Sequence, residues 1–508
     1  MSSTQFLMVN PLYDMSGGFT DASTNIIYEV NASRNFINLI GDISNVDVSN
    51  TLYEGKTYDP SLSLVQFVKK TKRNFLDLSV NTMLDNLLYW ARNTSGSNKF
   101  PILETGASGD LSESQPTLSL YETIDNYELT STIANQGDAY HMAMSKDGKR
   151  LIAGGQHSAT ELYLWNETLG TRGEWQYVNN DPNLSNWGDL AINADGSRFA
   201  IDNGESNNRV SIYEWHLDGT YTLLDDIINS ARPGEQWESG KQWGTYLSMS
   251  ADGQTVAFSA FYSGANNSYK GHVEVWGATD STGTSWVQLG SDIPDSSQLA
   301  VYDHAGYHGV ELNADGTRVV IAVPNSSTTV ARVFDYNAST NTWHEKAGIA
   351  KSEVKQVSWM RLQLSGDGMR LAFASMYIAV GNAEEVIIFD YDANNNVWNK
   401  IGSPITSPAT TNIHTNGFGR DTAMTSDGTL LVIGARSYNT TEGAAWVYAW
   451  DGNDWSSVGT ILKSANNGET HHLGSGLVVS DDGQTIVIGA NGGNAAGNEI
   501  VTFQAILK

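Results

Sequence analysis

Residues 247–260 read LSMSADGQTVAFSA, and this stretch decides the fold because variants of it recur along the chain. Each copy places Asp-Gly between two short apolar runs. Successive copies are separated by 48 to 63 residues, so one structural unit repeats with connecting loops of different length. The seven turn aspartates are Asp147, Asp195, Asp252, Asp315, Asp367, Asp427 and Asp482.

Each repeat is predicted to begin with a β-hairpin. Leu247 and Met249 alternate with a smaller residue before the turn, and Val256 and Phe258 do so after it. An alternation with period two is typical of a strand. Asp-Gly between two such strands supplies the positive φ that a tight hairpin turn requires.

Two further strands are predicted after each hairpin, and their number indicates how the repeats are arranged. The sequence offers seven candidates each for the first, second and third strands, but only six fourth strands after the first turn. The seventh is Tyr127–Ile133, which precedes the first hairpin and resembles the other fourth strands. This deficit predicts a mainly β fold, a closed seven-bladed β-propeller whose last blade is completed by a strand from the chain start. An open β-solenoid would show no such deficit.

The sixth repeat carries a resemblance to a known family. It contains Gly417-Phe418-Gly419 and, further on, Gly434-Ala435 and Gly443-Ala-Ala-Trp-Val-Tyr448. This pattern resembles the FG-GAP repeat of integrin-α-type propellers, over roughly residues 127–508. The resemblance implies a propeller fold. Members of that family often carry a calcium loop with several aspartates in the first hairpin. Here a single Asp precedes Gly, too few carboxylates for a calcium shell, so calcium is not expected.

Composition excludes several classes of protein. The 508 residues include 29 basic and 56 acidic side chains, a formal net charge of −27. Broad nucleic-acid binding and adsorption to an anionic membrane both need clustered Lys and Arg, so neither is expected. The absence of cysteine excludes disulfides and thiolate metal sites. No apolar run is long enough to span a membrane, and the first ten residues do not resemble a secretory signal.

The N-terminal part of the sequence is predicted to form a separate α/β module. We place an anchoring or docking module at residues 1–95, a linker at 96–116 and the propeller at 117–508. An apolar pattern of period 3.6 predicts an amphipathic helix over 78–92, with Leu84 and Leu88 on its apolar face. The sequence contains one basic cluster, which has three alternative interpretations: a solvated helix face, a docking site for an acidic partner or a nucleic-acid contact. It consists of Lys69, Lys70, Lys72 and Arg73.

Candidate binding residues are found in the loops before the first strands and between the second and third strands. These loops are predicted to share one face of the ring, because the innermost strand of a propeller blade comes first. The aromatic, His and Asn side chains of these loops suit contact with proteins or sugars; the alternative is that the aromatic side chains pack between blades. In integrin-like propellers this face binds partners, and the resemblance implies the same here. The candidates are Trp187, Trp237, Tyr262, Tyr269, His304, His308, Tyr377, His414, Arg420, Tyr438, His471 and His472.

No motif indicates an enzyme, a cofactor or a metal site. His304 and His308 have a spacing that binds metal on a helix, but they lie in a predicted loop. The sequence lacks a nucleophile elbow, a phosphate loop and a dinucleotide fingerprint. We therefore expect no catalytic residues, no cofactor and no metal. One arginine recurs three residues after the turn Asp, which predicts a repeated structural contact: Arg150, Arg198, Arg318 and Arg370.

The leading functional hypothesis is a non-enzymatic structural or interaction protein. Its propeller head would be displayed on a particle or cell surface, a virion capsid, fibre or spike being favoured, and anchored to a protein assembly through the N-terminal module. The expected location is a virion or extracellular surface. A lectin-like carbohydrate-binding propeller and a propeller hydrolase or lyase are the alternatives.

Overall fold

The structure is a computed structural model in which short N-terminal strands and most of the propeller are described. Contacts divide the chain into two compact units, Met1–Leu118 and Ser119–Lys508. The described residues are 19–21, 26–31, 36–40, 52–53, 56–57 and 124–507, except for 135–138, 155–158, 171, 186–188, 203–208, 229–245, 261–267, 355–358, 377–383, 409–416, 440–441, 465–471 and 492–497.

The described part of the first unit is β structure. Strands β1 (Phe19–Asp21), β2 (Ile26–Asn31) and β3 (Phe36–Ile40) form an antiparallel sheet. A second pair consists of β4 (Leu52–Tyr53) and β5 (Lys56–Thr57). The predicted helix over 78–92, with Leu84 and Leu88, lies outside the described residues. The basic cluster lies outside them too: Lys69, Lys70, Lys72 and Arg73.

The second unit is a ring of seven four-stranded antiparallel sheets, so the prediction of a seven-bladed propeller is confirmed. Its first strand is β6 (Ile124–Ala134). Blade 1 comprises β7 (His141–Met144), β8 (Arg150–Gly154), β9 (Ala159–Asn166) and β10 (Glu174–Ser185). Blade 2 comprises β11 (Leu190–Ile192), β12 (Arg198–Asp202), β13 (Arg209–Trp215) and β14 (Tyr221–Ile228). Blade 3 comprises β15 (Leu247–Met249), β16 (Thr255–Ser259), β17 (Val273–Ala278) and β18 (Trp286–Gln288).

The remaining blades follow the same order. Blade 4 comprises β19 (Val310–Leu312), β20 (Arg318–Ala322), β21 (Thr329–Asn337) and β22 (Thr342–Ala350), and blade 5 comprises β23 (Trp359–Leu364), β24 (Arg370–Met376), β25 (Glu385–Asp392) and β26 (Val397–Thr406). Blade 6 comprises β27 (Phe418–Met424), β28 (Leu430–Ala435), β29 (Ala444–Trp450) and β30 (Trp455–Leu462). Blade 7 comprises β31 (Leu473–Val479), β32 (Thr485–Ala490), β33 (Glu499–Leu507) and β6. The two described helical segments are single 3₁₀ turns, Ser296–Gln298 and Lys351–Glu353. No helix among the described residues is long and apolar enough to cross a membrane.

The last blade is closed by the N-terminal strand, as predicted. β6 pairs antiparallel with β33 from Ile124–Leu507 to Ala134–Glu499. Tyr127 is 4% exposed, and its hydroxyl donates to the carbonyl of Gly483 at 2.7 Å. The two ends of the propeller are therefore held together by one sheet, and neither end is left as an open edge.

The core lies between the blades. The second strands are nearly continuous in buried residues; all five residues of β8 and all five of β12 are buried. A strand that is covered on both sides by neighbouring sheets loses the polar face of a surface strand. Large buried side chains fill the spaces between blades, among them Phe199, Phe258, Phe373, Phe389 and Phe418.

The face that carries the seven Asp-Gly turns, here the turn face, is uniform. The turn glycine has φ between +64° and +73° in every blade, as the sequence predicts. The backbone N–H of the residue before each turn Asp points to the equivalent residue of the next blade. The resulting hydrogen bonds are Lys146–Ala194, Ala194–Ala251, Ala251–Ala314, Ala314–Gly366, Gly366–Ser426 and Asp481–Lys146, with Ser426 N–H donating to the Asp481 carboxylate instead.

The recurring arginines also connect neighbouring blades, so the predicted structural contact is confirmed. Arg370, for example, donates to the carbonyl of the next blade's turn glycine, Gly428, at 3.0 Å. It also donates to both oxygens of Asp390, at 2.6 and 2.8 Å. The other three reach the turn glycines of the following blades: Arg150 to Gly196, Arg198 to Gly253 and Arg318 to Gly368.

Candidate functional site

The opposite face of the propeller, here the loop face, is where the innermost strands begin, and one position of the repeat brings polar side chains to the axis there. This position lies six residues before the turn Asp. Around the ring it holds His141, Asp189, Tyr246, Gly309, Arg361, Asp421 and Gly476. With Glu311, which lies two residues further along its strand, the side chains of this position form what we call the axial cluster: His141, Asp189, Tyr246, Glu311, Arg361 and Asp421.

Asp189 connects three successive blades. Its Oδ1 lies 3.2 Å from Nδ1 of His141 in blade 1 and accepts from the N–H of Leu190 in blade 2 at 3.0 Å. Its Oδ2 accepts from the N–H of Leu247 in blade 3 at 3.4 Å. Burial would raise the pKa of Asp189, but the hydrogen bond and charge of His141 and the charge of Arg361 bring it below its ordinary value. The carboxylate is therefore ionised at neutral pH.

Arg361 contacts side chains of two other blades. Its Nε lies 3.2 Å from Oδ1 of Asp421, and its guanidinium lies 5.4 Å from the ring centroid of Tyr246. Because Tyr246 belongs to blade 3 and Arg361 to blade 5, this contact joins blades that are not adjacent. The other oxygen of Asp421 accepts from the N–H of Leu477 in blade 7 at 2.8 Å. Burial raises the pKa of Asp421, and the positive charge of Arg361 offsets part of that rise.

Glu311 differs from Asp189 in its protonation. Burial raises the pKa of the Glu311 carboxyl to about 8, and the negative charge of Asp189 adds to the rise. Gln363 Nε2 lies 3.4 Å from Glu311 Oε1. A protonated carboxyl near an ionised one is the combination that acid–base catalysts use. In this cluster, however, Asp189 and Asp421 already hold backbone N–H groups of neighbouring blades.

A second group of side chains lies on the loop face where blades 3 and 4 meet. The ring centroids of Tyr269, Tyr302 and His304 are 5.5, 6.2 and 6.3 Å apart. In a column of three stacked rings the outer two would be about twice as far apart as neighbours. The three rings therefore do not form a column: Tyr269 stacks offset against Tyr302 and against His304, with interplanar angles of 23° and 24°, and the planes of Tyr302 and His304 are tilted by 43°. Tyr302 is 55% exposed and the adjacent Val301 54%. We call Tyr269, Tyr302 and His304 the aromatic patch.

The backbone of the aromatic patch is strained. Tyr269, Tyr302 and His304 have φ of +45°, +69° and +53°, in the left-handed region that side chains disfavour. Each such residue costs on the order of 1 kcal/mol and persists only where its surroundings hold it. Pairing between two loops does so here: Tyr302 N–H donates to the carbonyl of Ser268 at 2.8 Å, and His304 N–H to that of Tyr269 at 3.2 Å.

His308 does not lie on the surface that the sequence analysis assigned to it. It is 2% exposed, and its Nδ1 lies 3.0 Å from the hydroxyl of Tyr246. Burial lowers the pKa of His308 to about 3, and the charge of Arg361 contributes. His308 therefore belongs to the interior beside the axial cluster, because the strand that it precedes starts inside the ring, and a surface partner does not reach it.

Three further predicted residues lie together on blades 6 and 7, away from the aromatic patch. The Arg420 guanidinium lies 5.3 Å from the ring centroid of Tyr140. Burial lowers the pKa of Arg420 to about 10, and the like charge of Arg436 contributes. His472 Nδ1 lies 3.1 Å from the carbonyl oxygen of Arg436, and Tyr438 packs against the core of blade 6. The structure thus gives two groups of predicted residues rather than one surface.

The remaining predicted binding residues lie outside the described residues and stay predictions. They are Trp187, Trp237, Tyr262, Tyr377, His414 and His471.

None of the six members of the axial cluster is among the candidate binding residues predicted from the sequence. The sequence nevertheless contains a signal for them. When the seven repeats are aligned on the turn Asp, the position six residues earlier alternates between charged, aromatic and glycine residues, whereas the positions around it are mostly small or apolar. Glu311 stands out because its position is Ala, Ser, Gln or Val in the other repeats.

No protein-family model matches this sequence, and no curated protein matches it either. Among solved structures, hydrazine synthase of Kuenenia stuttgartiensis is similar over 73% of this chain and 96% of its own, with 14% identity and a TM-score of 0.45. A protein from Lactobacillus plantarum is similar over 64% of this chain and 86% of its own, with 16% identity and a TM-score of 0.42. At this level of similarity neither structure bears on what this chain binds or catalyses.

Proposed function

We propose that this chain is a non-enzymatic binding protein whose propeller holds its partner on the aromatic patch. The single observation that carries the proposal is the strained arrangement of Tyr269, Tyr302 and His304, of which Tyr302 is 55% exposed and the other two are partly buried. If these residues served packing alone, a relaxed backbone or a glycine at each position would avoid the strain. Strain of this kind clusters at sites where a ligand is held.

The chemistry of the patch favours a flat or apolar contact. Tyrosine and histidine rings offer an apolar face with a polar edge, which suits protein side chains and sugar rings alike. Val301 extends the apolar surface beside Tyr302. Lys270, whose ammonium donates to the carbonyl of Ser296 at 2.7 Å, supplies a polar rim. An apolar centre with a polar edge is the usual anatomy of a binding surface.

The axial cluster supports a structural rather than a catalytic role at the centre of the ring. Asp189 bridges blades 1, 2 and 3, and Asp421 bridges blades 5, 6 and 7. Carboxylates that are committed to neighbouring backbone N–H groups are poorly placed to exchange protons with a substrate. We therefore assign these groups to closure of the ring and propose no enzymatic activity.

We further propose that the propeller is displayed on a particle or cell surface, a virion component being favoured, with the N-terminal module as its anchor to a protein assembly. The support is the charge distribution in the sequence, since the one basic cluster of this acidic chain, Lys69 to Arg73, lies outside the propeller. Membership of the FG-GAP family is likewise proposed, on the pattern in the sixth repeat and its echoes in Trp243-Gly244, Leu473-Gly474 and Gly489-Ala490.

A carbohydrate is the second candidate partner, and the exposed ring of Tyr302 favours it. Tyr302 is 55% exposed, whereas Tyr269 and His304, which stack against each other at 6.2 Å, are partly buried. A sugar ring can stack on the face of an exposed aromatic ring through its C–H groups.

The test applies the full-length protein to a glycan array and to a screen of cell-surface proteins. We expect a partner that binds wild-type protein and is lost in Tyr302→Ala. The matched control is Tyr177→Ala, since Tyr177 is also exposed (44%) but lies on the outer strand of blade 1. Equal loss in both variants, or no partner in either screen, would overturn the proposal.

A further inference from the structure

Blade 3 contains a group of side chains that the proposed binding function does not use. His272 immediately precedes β17, and Glu274 lies within it, so their side chains project to the same face of the strand. Asp292 follows β18 on the neighbouring strand. Val273 bridges to Ile293 in antiparallel fashion, which places Glu274 opposite Asp292. We call His272, Glu274 and Asp292 the blade 3 triad.

The three side chains point their polar atoms at one another. His272 Nε2 lies 3.3 Å from Glu274 Oε1 and 3.8 Å from Asp292 Oδ2. One nitrogen and two carboxylate oxygens lie within 4.8 Å of one another. Ligand atoms around a tetrahedral Zn²⁺, each about 2.0–2.2 Å from the metal, are about 3.3–3.6 Å apart. A small inward movement of Asp292 would therefore complete three corners of such a shell.

Donors outside the triad orient both carboxylates. Trp276 Nε1 donates to Glu274 Oε2 at 2.9 Å, and Gln288 Nε2 donates to Asp292 Oδ1 at 2.8 Å. In each carboxylate the second oxygen is thereby turned toward His272. Outer hydrogen bonds that fix ligand oxygens in this way are characteristic of metal sites.

The charges favour a cation at this place. Glu274 is 3% and His272 6% exposed, and the Asp292 side chain is 24% exposed. Two carboxylates directly opposite on neighbouring strands repel each other, and burial strengthens that repulsion. Within the triad, one imidazole faces two carboxylates. A divalent cation would balance both carboxylates at once.

We infer that the blade 3 triad is a binding site for a divalent transition metal of the Zn²⁺ type, with three protein ligands and a fourth position open to water. The mixture of one imidazole and two carboxylates suits Zn²⁺ and disfavours Mg²⁺ and Ca²⁺, which prefer oxygen ligands. This inference is independent of the aromatic patch and of any partner.

The ring provides an internal control. Glu161 holds the position of Glu274 in blade 1, because Leu164 and Gly277, three residues further on, pair with equivalent residues of their second strands. Glu161 is also buried (8% exposed). It accepts from the hydroxyl of Tyr163 at 2.6 Å.

The test measures zinc bound to the full-length protein. Wild-type protein is loaded with Zn²⁺, dialysed and analysed for metal content, and its affinity is determined by competition with a chromogenic chelator. We expect about one Zn²⁺ per chain, a loss of affinity of roughly 10-fold or more in Glu274→Gln and in Asp292→Asn, and no change in Glu161→Gln. Mg²⁺ in excess should not displace the zinc.

A second measurement uses wild-type protein alone, in case a variant does not fold. Co²⁺ should give the visible absorption of a four-coordinate site, and Zn²⁺ should abolish it. No retained zinc, an octahedral cobalt spectrum, or equal loss of affinity in Glu161→Gln and Glu274→Gln would each overturn the assignment.

Discussion

The two faces of the propeller differ in how closely they follow the repeat. On the turn face every blade has the same Asp-Gly hairpin with the same glycine conformation, and six of the seven links between neighbouring blades are the same backbone hydrogen bond, the seventh running from Ser426 N–H to the Asp481 carboxylate. On the loop face the repeat position at the axis changes from His to Asp, Tyr, Gly and Arg, and four aromatic or His residues between 269 and 308 have positive φ. The turn face follows the repeat throughout, whereas the residues of the loop face that differ from blade to blade comprise both the axial cluster, which we assign to closure of the ring, and the aromatic patch, which we assign to binding.

The largest expected effect concerns closure of the ring. Deleting residues 1–134 removes β6, and with it the buried side chains of Ile124 and Tyr127. Burial of those two alone contributes roughly 3–6 kcal/mol. We expect this truncation to lose cooperative unfolding in a thermal melt followed by circular dichroism, and deletion of 1–115 to retain it. If the two truncations unfold alike, β6 does not close the ring.

The uniformity of the turn face can be broken at one glycine. Gly253→Ala places a Cβ at φ +68°, about 3.0 Å from Cδ of Arg198. We expect a loss of about 2–3 kcal/mol in free energy of unfolding, from backbone strain and from displacement of the arginine. The control is Gly452→Ala, with φ +95° and nothing within 4 Å of the added Cβ. It should cost about 1–2 kcal/mol; equal costs in urea unfolding would mean that close approach of the arginine is unimportant.

The loop face should be the part whose stability depends on pH. Glu311 has a folded-state pKa of about 8, above that of an exposed glutamate. A raised pKa of an acid gives stability that is complete below the unfolded value and is lost as pH rises through 8. The Glu311→Gln variant cannot ionise at this position, so it does not lose this stability as the pH rises. Relative to wild type it should therefore gain on the order of 1–3 kcal/mol between pH 5 and pH 8.5.

Urea unfolding at the two pH values measures this difference. The exposed Glu353→Gln, whose carboxylate pairs with Lys400 at 3.1 Å, is the control. If Glu311→Gln follows the wild-type pH profile, the Glu311 carboxyl is not held protonated at the axis.

How much of each face could be predicted depends on whether its cause is local. Asp-Gly hairpins such as that at Asp252 are determined by two adjacent residues, so the sequence predicts all seven turns and, by counting strands, closure by Tyr127–Ile133. The aromatic patch was predicted only as separate residues, Tyr269 and His304. Tyr302 was missed, because its left-handed backbone results from pairing with Ser268, more than thirty residues earlier.

The axial cluster is intermediate between the turns, which the sequence predicts, and the aromatic patch, which it predicts only as separate residues. All its members except Glu311 share one position of the repeat, so an alignment on the turn Asp brings Arg361 and Asp421 into the same column as Asp189. The type of residue at that position is not the same from blade to blade, however. An arginine in one blade and a carboxylate in the next become partners only once the ring has closed, which a search for similarity between repeats does not reveal.

A smaller effect is expected at the arginines of the turn face. Arg370→Lys loses the planar donors that reach Gly428 and Asp390, and the contact with the Trp450 ring, 5.2 Å from the guanidinium carbon. We expect a loss of about 1–2 kcal/mol in urea unfolding. Asp390 is 39% exposed, so Asp390→Asn should cost less, about 0.5 kcal/mol. A larger cost for Asp390→Asn would mean that the ion pair, rather than the bond to the next blade, stabilises the ring.

The smallest expected difference in stability is between two variants of Tyr302 in the aromatic patch, and the glycine variant should be the more stable of the two. Tyr302 has φ +69° and is 55% exposed, so Tyr302→Gly removes backbone strain while it loses little buried area. Tyr302→Ala loses the same ring but keeps the strain. We expect the glycine variant to be about 0.5–1 kcal/mol more stable than the alanine variant in urea unfolding, and both to lose the partner found in the binding screens. Retained binding in the glycine variant would show that the ring is not the contact. Equal stability of the two variants would show that the loop is relaxed at Tyr302, and the contrast between a turn face that serves folding and an aromatic patch that is strained for binding would then not hold at this residue.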